Sequence, residues 1–239
     1  MKLKYRIAER LGYDLIRKEK NHGSLHSHLP NVLGKLAIDC VLDVGANTGQ
    51  YGRLLRASGF RGRIVSFEPV RATFEELVRQ AQGDAAWSCV HAALGRAEGR
   101  QTINVSAASK LSSFREPSAA GVRRLPARIA AAQREEVAVR RLDAVFAELP
   151  APRPARVLLK MDTQGYDLEV FAGAEGCLPS VAALQSELAV ERLYEGMPDY
   201  VEALSVYRRA GFELTGLFPI YRDGASLIVG EMDCVMARV

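Results

Sequence analysis

Directly after the apolar run Cys40-Val41-Leu42, the chain reads Asp43-Val44-Gly45-Ala46-Asn47-Thr48-Gly49-Gln50-Tyr51-Gly52. A buried strand that runs into a glycine turn and then a helix is a place where backbone can meet a ligand. Gly45 permits a tight turn and Gly49 a close approach of backbone to ligand. The helix would present unpaired N–H groups, which Asn47 or Thr48 can cap. Nineteen residues beyond Gly49 comes Glu68, in Ser66-Phe67-Glu68-Pro69. A carboxylate there can accept hydrogen bonds from both hydroxyls of a ribose, as in dinucleotide-binding folds. Further on, Asp162 and Glu187 each follow a strand-like run, and either could orient or deprotonate an acceptor hydroxyl.

A glycine turn with a ribose-binding acid fits two cofactors. NAD needs its pyrophosphate on the helix N-terminus, usually through G-x-G-x-x-G. Here Asn47 stands where the second glycine of that fingerprint belongs. S-adenosylmethionine has no phosphates, and its methionine part needs a turn with polar groups. The Asp43-x-Gly45-x-Asn47-x-Gly49 spacing favours it. An NAD-dependent sugar oxidoreductase remains the rival enzyme, disfavoured by Asn47 and by the lack of a Tyr-x-x-x-Lys pair.

These residues are positioned by an alternation of short apolar strands, at 40–44, 63–67, 87–90, 156–161 and 181–186, with helices at about 48–58, 70–82, 165–177 and 199–210. Such alternation predicts a parallel sheet covered on both faces. The runs 212–217, 226–229 and 234–237 have no helix between them and predict a hairpin-like end with one antiparallel strand. Residues 105–135, rich in Ala, Ser and Arg, read as an insertion, with a short helix possible over Leu125–Glu136. Insertions of this length are functional lids or linkers.

The chain has 239 residues, 48% hydrophobic and 25% charged, so a sizeable core needs no metal or disulfide. Four scattered cysteines without a CxxC pair, and an N-terminus without a signal-peptide pattern, lead to an expected cytoplasmic location. The formal net charge of +4 is concentrated in residues 1–20, with seven Lys/Arg against three Asp/Glu, and in residues 105–141, with eight against three. Few aromatics interleave with these cations, which argues against nucleic acid. Leu3, Ile7, Leu11 and Leu15 recur at helical spacing among the first set. Residues 1–29 are therefore expected to form an amphipathic helix and loop, packed on the domain or weakly docked on an anionic membrane surface.

On VLDVGANTGQYG, FEP, Ala92-Ala93-Leu94-Gly95, Lys160-Met161-Asp162-Thr163-Gln164-Gly165-Tyr166-Asp167, Glu169–Ala174 and Ser186-Glu187-Leu188, the chain resembles the FkbM family of S-adenosylmethionine-dependent O-methyltransferases. The resemblance runs from about residue 30 to the C-terminus; residues 1–29 and 115–135 match nothing in it. It implies a Rossmann-like class I methyltransferase, with a mostly parallel seven-stranded sheet and a domain over 30–239 that carries a lid-like insertion at about 105–135. Carried over, Gly45, Asn47 and Gly49 line the methionine part of the cofactor, and Asp43 tightens the turn or meets the ammonium. Glu68, with Pro69, takes the ribose, and His91-Ala92-Ala93 lies where adenine is held. The family methylates hydroxyls, mainly of glycolipid and polysaccharide sugars or polyketide-type products, so a small-molecule or glycolipid acceptor is implied.

Asp162 ends the fourth core strand and faces the cleft by the topology rule for open sheets; it could serve cofactor or acceptor, or simply cap the next helix. Glu187 is its neighbour at the next strand exit, unless a salt bridge to an arginine occupies it. Together they could hold Mg²⁺, a reading that is not favoured, and no metal is assigned. Gln164, Tyr194, Ser112 and Ser113 are candidate acceptor contacts. His22, His26 and His28 read as a polar loop rather than a metal cluster. A catalytically inactive scaffold is opposed by the intact Asp162-Gln164-Gly165 stretch. The oligomeric state is not legible.

Overall fold

The computed structural model describes residues 7, 10–12, 23–150 and 156–238. Most of the expected amphipathic segment before residue 23 lies outside the described residues. Ten strands are described: β1 (Cys40–Val44), β2 (Arg63–Phe67), β3 (Trp87–Val90), β4 (Ala93–Leu94), β5 (Gly99–Ser106), β6 (Ala131–Arg140), β7 (Val157–Met161), β8 (Val181–Ala189), β9 (Glu213–Arg222) and β10 (Val229–Ala237). Seven of them form one sheet in the order β3-β2-β1-β7-β8-β10-β9. Only β10 runs antiparallel to its neighbours. The fold is thus the expected Rossmann-like one, a mostly parallel seven-stranded sheet with one antiparallel strand.

β1 and β7 are buried at every position, which is why they read as nearly unbroken apolar runs. Alternate side chains feed two cores. Cys40, Leu42 and Val44 face Val145, Phe171 and Tyr207, whereas Val41 faces Leu29, Leu55 and Leu77 on the opposite side. Each face is covered by helices: α1 (Leu25–Lys35), α2 (Gln50–Ala57) and α3 (Arg71–Ala81) on one, with α5 (Leu142–Glu148), α6 (Asp167–Ala172) and α7 (Tyr200–Arg209) on the other. Gly59, Gly83 and Gly211 follow helices with φ of 94°, 88° and 87°, as left-handed C-terminal turns require.

Two expectations are corrected. His26 and His28 do not lie in a loop: α1 contains both, opened by a capping box between Ser24 and Ser27. His28 is buried, hydrogen-bonded to Thr215 at 3.0 Å and packed on Phe218. Leu125–Glu136 does not form a helix, because from Ala131 onward the chain pairs antiparallel with β5 in a second sheet ordered β4-β6-β5. Val137 and Val139 point inward there, beside Ile103 and Val105. The insertion also has apolar anchors of its own. A short helix, α4 (Ala119–Arg124), leads to Ile129, which is 2% exposed and packs with Ala189, Leu193, Tyr194 and Met197.

Trp87 fixes the spacing between β3 and α2. Its indole N–H donates to Ser66 Oγ at 3.0 Å, and its ring lies where a Cβ on Gly52 would be. An exposed helical Gly→Ala change normally stabilises by about 1 kcal/mol. Overpacking against a buried ring costs about 1–3 kcal/mol. Gly52→Ala is therefore expected to destabilise the protein in urea unfolding, and to lose that penalty when combined with Trp87→Leu.

Candidate functional site

A cleft of about 480 Å³ opens at the carboxyl ends of β1, β2 and β7, lined by Gly45, Ala46, Asn47, Glu68, Asp162 and Glu187 among others. Its first wall is the turn from β1 into α2. Gly45, Asn47 and Gly49 all have positive φ, of 73°, 49° and 83°. Every second residue of the motif is thus left-handed, and the asparagine tolerates what most side chains do not. The amides of Gly45 and Ala46 donate to the carbonyl of Phe67 at 3.1 and 3.0 Å. A Cβ on Gly45 would collide with the carbonyl oxygen of Asp162. The turn is consequently wedged between the ends of β2 and β7.

Glu68 completes this wall. One carboxylate oxygen accepts from the Asn47 amide and the other from the Val70 amide, both at 2.9 Å. Burial raises its pKa to about 7, although those two amides and Lys160 favour the charged form. Each oxygen keeps a further lone pair for a ligand hydroxyl.

Beneath the turn lies a charged floor. Asp43 and Lys160 are register partners on adjacent strands, each one residue before its strand ends. The Lys160 ammonium sits 3.0 Å from Asp43 and 3.6 Å from Asp162, and donates to the Gly45 carbonyl at 3.1 Å. Burial alone would lower the Lys160 pKa, but Asp43 and Asp162 outweigh it and hold the amine above its ordinary value. Asp43 also accepts from Ser66 at 3.1 Å.

The second wall is rich in acceptors. Gln164, at a φ of 52°, donates its amide to Asp162 at 3.1 Å and to Glu187 at 2.7 Å, clamping two carboxylates with one side chain. The Tyr194 hydroxyl lies 2.9 Å from the Leu111 carbonyl and 3.2 Å from Gln164 Oε1. Behind the clamp, Tyr51 donates to Gln185 at 2.7 Å, and Gln185 donates to Asp233 at 3.2 Å. Burial, followed by the charges of Asp162 and Glu231, holds the Glu187 pKa well above the carboxylate range. Asp233 is raised to about 6, mainly by burial.

Of the residues expected from sequence, Gly45, Asn47, Glu68, Pro69, Ala92, Ser112, Ser113, Asp162, Gln164 and Glu187 line the cleft. Asp43 lies beneath it, fully buried, as a charge partner of Lys160. The Cβ direction of Gly49 faces Leu77 and Trp87, so its missing side chain serves helix packing rather than ligand approach. Neither Asn47 nor Thr48 caps the helix: the N-cap is Gly49, without a side-chain bond. His91 is exposed, stacked on Phe74 at 4.6 Å and bonded to the Pro69 carbonyl. Tyr194 is 2% exposed and braces Gln164 from behind. The Ser113 hydroxyl donates to the Gln164 carbonyl at 2.8 Å. Lys160, Gln185 and Asp233 were missed. A lysine and an aspartate at matching positions of two otherwise apolar strands were the available signal for the first. Among the described residues, no group of three His, Cys, Asp or Glu side chains is arranged to hold a metal ion.

A family model described as the methyltransferase FkbM domain matches residues 43–214. No curated protein sequence matches the chain. Among solved structures, magnesium protoporphyrin IX methyltransferase from Synechocystis PCC 6803, with bound SAM, superposes with a TM-score of 0.50 at 11% identity, covering 100% of this chain and 86% of that one. TehB from Haemophilus influenzae gives 0.48 at 8% identity, covering 90% and 63%. An rRNA methylase from Streptococcus thermophilus gives 0.45 at 8% identity, covering 89% and 95%.

The Glu68 shift has a measurable sign. A carboxyl whose pKa rises from 4.5 in the unfolded chain to about 7 when folded favours the fold while protonated. That contribution is complete below pH 4.5 and lost as pH rises through about 7. Relative to Glu68→Gln, the wild type is expected to lose about 2–3 kcal/mol of unfolding free energy between pH 5 and 8. Parallel urea titrations check this; a pH-independent difference between the two proteins would contradict it.

Proposed function

The chain belongs to the FkbM methyltransferase family, and from that premise we propose that it is an S-adenosylmethionine-dependent O-methyltransferase. Its acceptor is a hydroxyl of a small molecule, most readily a sugar of a glycolipid, polysaccharide or polyketide-type product. The single observation that carries this reading is Glu68, buried at the end of β2 with both oxygens oriented by backbone amides and free capacity toward the cleft. A ribose diol asks for such a carboxylate. The same geometry counts against a pyrophosphate cofactor, because the Asn47 amide that would meet a phosphate already donates to Glu68.

The residues fit S-adenosylmethionine. Glu68 would take the ribose hydroxyls, with Pro69 and Ala92 beside them, and Gly45 and Asn47 would border the methionine part with Asp162 nearby. When bound, the cofactor supplies a methyl group activated by a positive sulfonium. The chain then has three tasks. Asp162 and Glu187, held by Gln164, receive the acceptor hydroxyl and orient it. Glu187 takes the proton released from that hydroxyl, because its surroundings make it a stronger base than an ordinary carboxylate. The insertion, through Leu111, Phe114 and Leu125 along the cleft, excludes water from the reacting groups. Orientation by such clamps is the larger part of the barrier reduction expected in a displacement of this kind. No metal is invoked. A wall of hydrogen-bond acceptors suits a polyhydroxylated acceptor better than nucleic acid. The free thiols of Cys40, Cys89, Cys177 and Cys234 support a reducing, cytoplasmic setting.

Calorimetry with S-adenosylhomocysteine tests the cofactor half. Glu68→Ala should weaken binding by about 30- to 150-fold, the value of about 2–3 kcal/mol for hydrogen bonds to a charged group. Unchanged affinity in a folded variant would remove the assignment.

The acceptor half rests on kinetics. Glu187→Gln keeps the Gln164 contact partner but not the base, and should lower kcat by about 10²- to 10⁴-fold with little change in cofactor affinity. Asp162→Asn should also lower kcat. Normal turnover in Glu187→Gln with a large loss in Asp162→Asn would move the proton to Asp162.

A further inference from the structure

The insertion carries six cationic side chains: Lys110, Arg115, Arg123, Arg124, Arg128 and Arg134. Four have protein partners. Arg115 donates to the Gly165 carbonyl at 2.8 Å, Arg123 meets Glu191 at 3.4 Å, Arg124 meets Glu231 at 2.7 Å and Arg134 meets Glu116 at 2.9 Å. The side chains of Lys110 and Arg128 have no ion pair or hydrogen bond among the described residues. Both are exposed, and both line the cleft. The two cations of this segment that line the cleft are therefore its two unpaired ones.

The same cleft has Asp162, Glu187, Glu231 and Asp233 on its lining, all of them buried or half-buried. Its two cations are exposed while its carboxylates are withdrawn from solvent, so the cations present themselves first to an entering molecule. Such a field favours one orientation of a ligand that has an anionic end and a hydroxyl end, and opposes the reverse. An arginine and a lysine on the lining of one cleft, both unpaired, suit a phosphate oxygen cluster: the guanidinium supplies a planar fork and the ammonium a point charge.

We propose that the acceptor bears a phosphate-class anionic group, bound by Lys110 and Arg128 at the cleft mouth while its hydroxyl reaches Asp162 and Glu187. This deepens the methyl-transfer reading and rests on it. The phosphate could belong to a soluble sugar phosphate or to a lipid headgroup. Leu25 and Ile220, the latter 51% exposed, adjoin the same cleft and could meet a lipid chain.

The test uses full-length protein saturated with S-adenosylhomocysteine, with glucose 1-phosphate and glucose as soluble probes and calorimetry or saturation-transfer NMR as readout. Glucose 1-phosphate should bind at least about 10-fold more tightly than glucose, a difference of about 1.4 kcal/mol. The double variant Lys110→Ala/Arg128→Ala should remove that preference and leave S-adenosylhomocysteine binding intact, which also shows that it is folded. In parallel, flotation with vesicles of phosphatidylcholine, with and without phosphatidylinositol, separates the sources. Retention on phosphatidylinositol vesicles, lost in the double variant, supports a lipid phosphate; preference for glucose 1-phosphate alone supports a soluble one. Equal binding of both sugars with no vesicle preference overturns the proposal, as does a phosphate preference that survives the double substitution. Failure of S-adenosylhomocysteine itself to bind would instead overturn the cofactor reading.

Discussion

The ion pair of Asp43 with Lys160 governs the geometry of the site. Two charged side chains occupy neighbouring positions at the ends of strands that are otherwise apolar and buried. Burying a charge is costly unless it is paired and hydrogen-bonded, and removing one partner of such a pair costs about 3–5 kcal/mol. Lys160 is satisfied from several directions: two carboxylates, the Gly45 carbonyl, and the face of the Tyr51 ring at 5.3 Å. These contacts fix the glycine turn above it, the strand end beside it and the helix in front of it. Because Asp162 lies 3.6 Å from the same ammonium, the floor of the cleft and the wall of carboxylates beside it are electrostatically one unit.

From this pair the two walls are organised by different means. The wall at the glycine turn is built from backbone: left-handed residues at 45, 47 and 49, and amides that hold Glu68. Such a wall is stiff, and its charge is concentrated on one enclosed carboxyl. The other wall is built from side chains, with Gln164 bridging Asp162 and Glu187 while Tyr194 and Ser113 hold the glutamine in place. A network of this kind is specific only when every member has its partner. It also leaves Glu187 among like charges, where proton affinity is high.

The insertion joins these walls to the rest of the molecule. The Ser118 hydroxyl donates to the Arg192 carbonyl at 2.6 Å, and the Arg124 guanidinium stacks on Tyr221 at 3.5 Å while pairing with Glu231. The insertion is thus tied to the β9–β10 hairpin and to the loop after β8. Its apolar cluster around Ile129 accounts for the order of a segment whose composition is dominated by Ala, Ser and Arg. Besides apolar side chains, this segment contributes the unpaired charges of Lys110 and Arg128 to the cleft.

What the sequence by itself determined was whatever is local. Short apolar runs alternating with helical spacing specify parallel strands, because a strand buried on both faces must be apolar throughout. The glycine turn and Glu68 were legible for a similar reason: a left-handed turn at a strand end leaves few residue types open, and they recur at fixed spacing. The tertiary structure decided everything that depends on which strands lie side by side. The partnership of Asp43 with Lys160 needed the register of β1 on β7. The bridge from Asp162 through Gln164 to Glu187 needed β7 beside β8, and the carboxylate of Asp233 needed β10 reversed next to β8. The second sheet escaped reading because β5 and β6 pair across the whole insertion, and local propensity in an Ala-rich segment points to helix unless a distant strand offers hydrogen bonds. Gly49 shows the same division at a single residue. Its type is fixed by a positive φ, but only the fold places its bare face against Trp87 rather than the cleft.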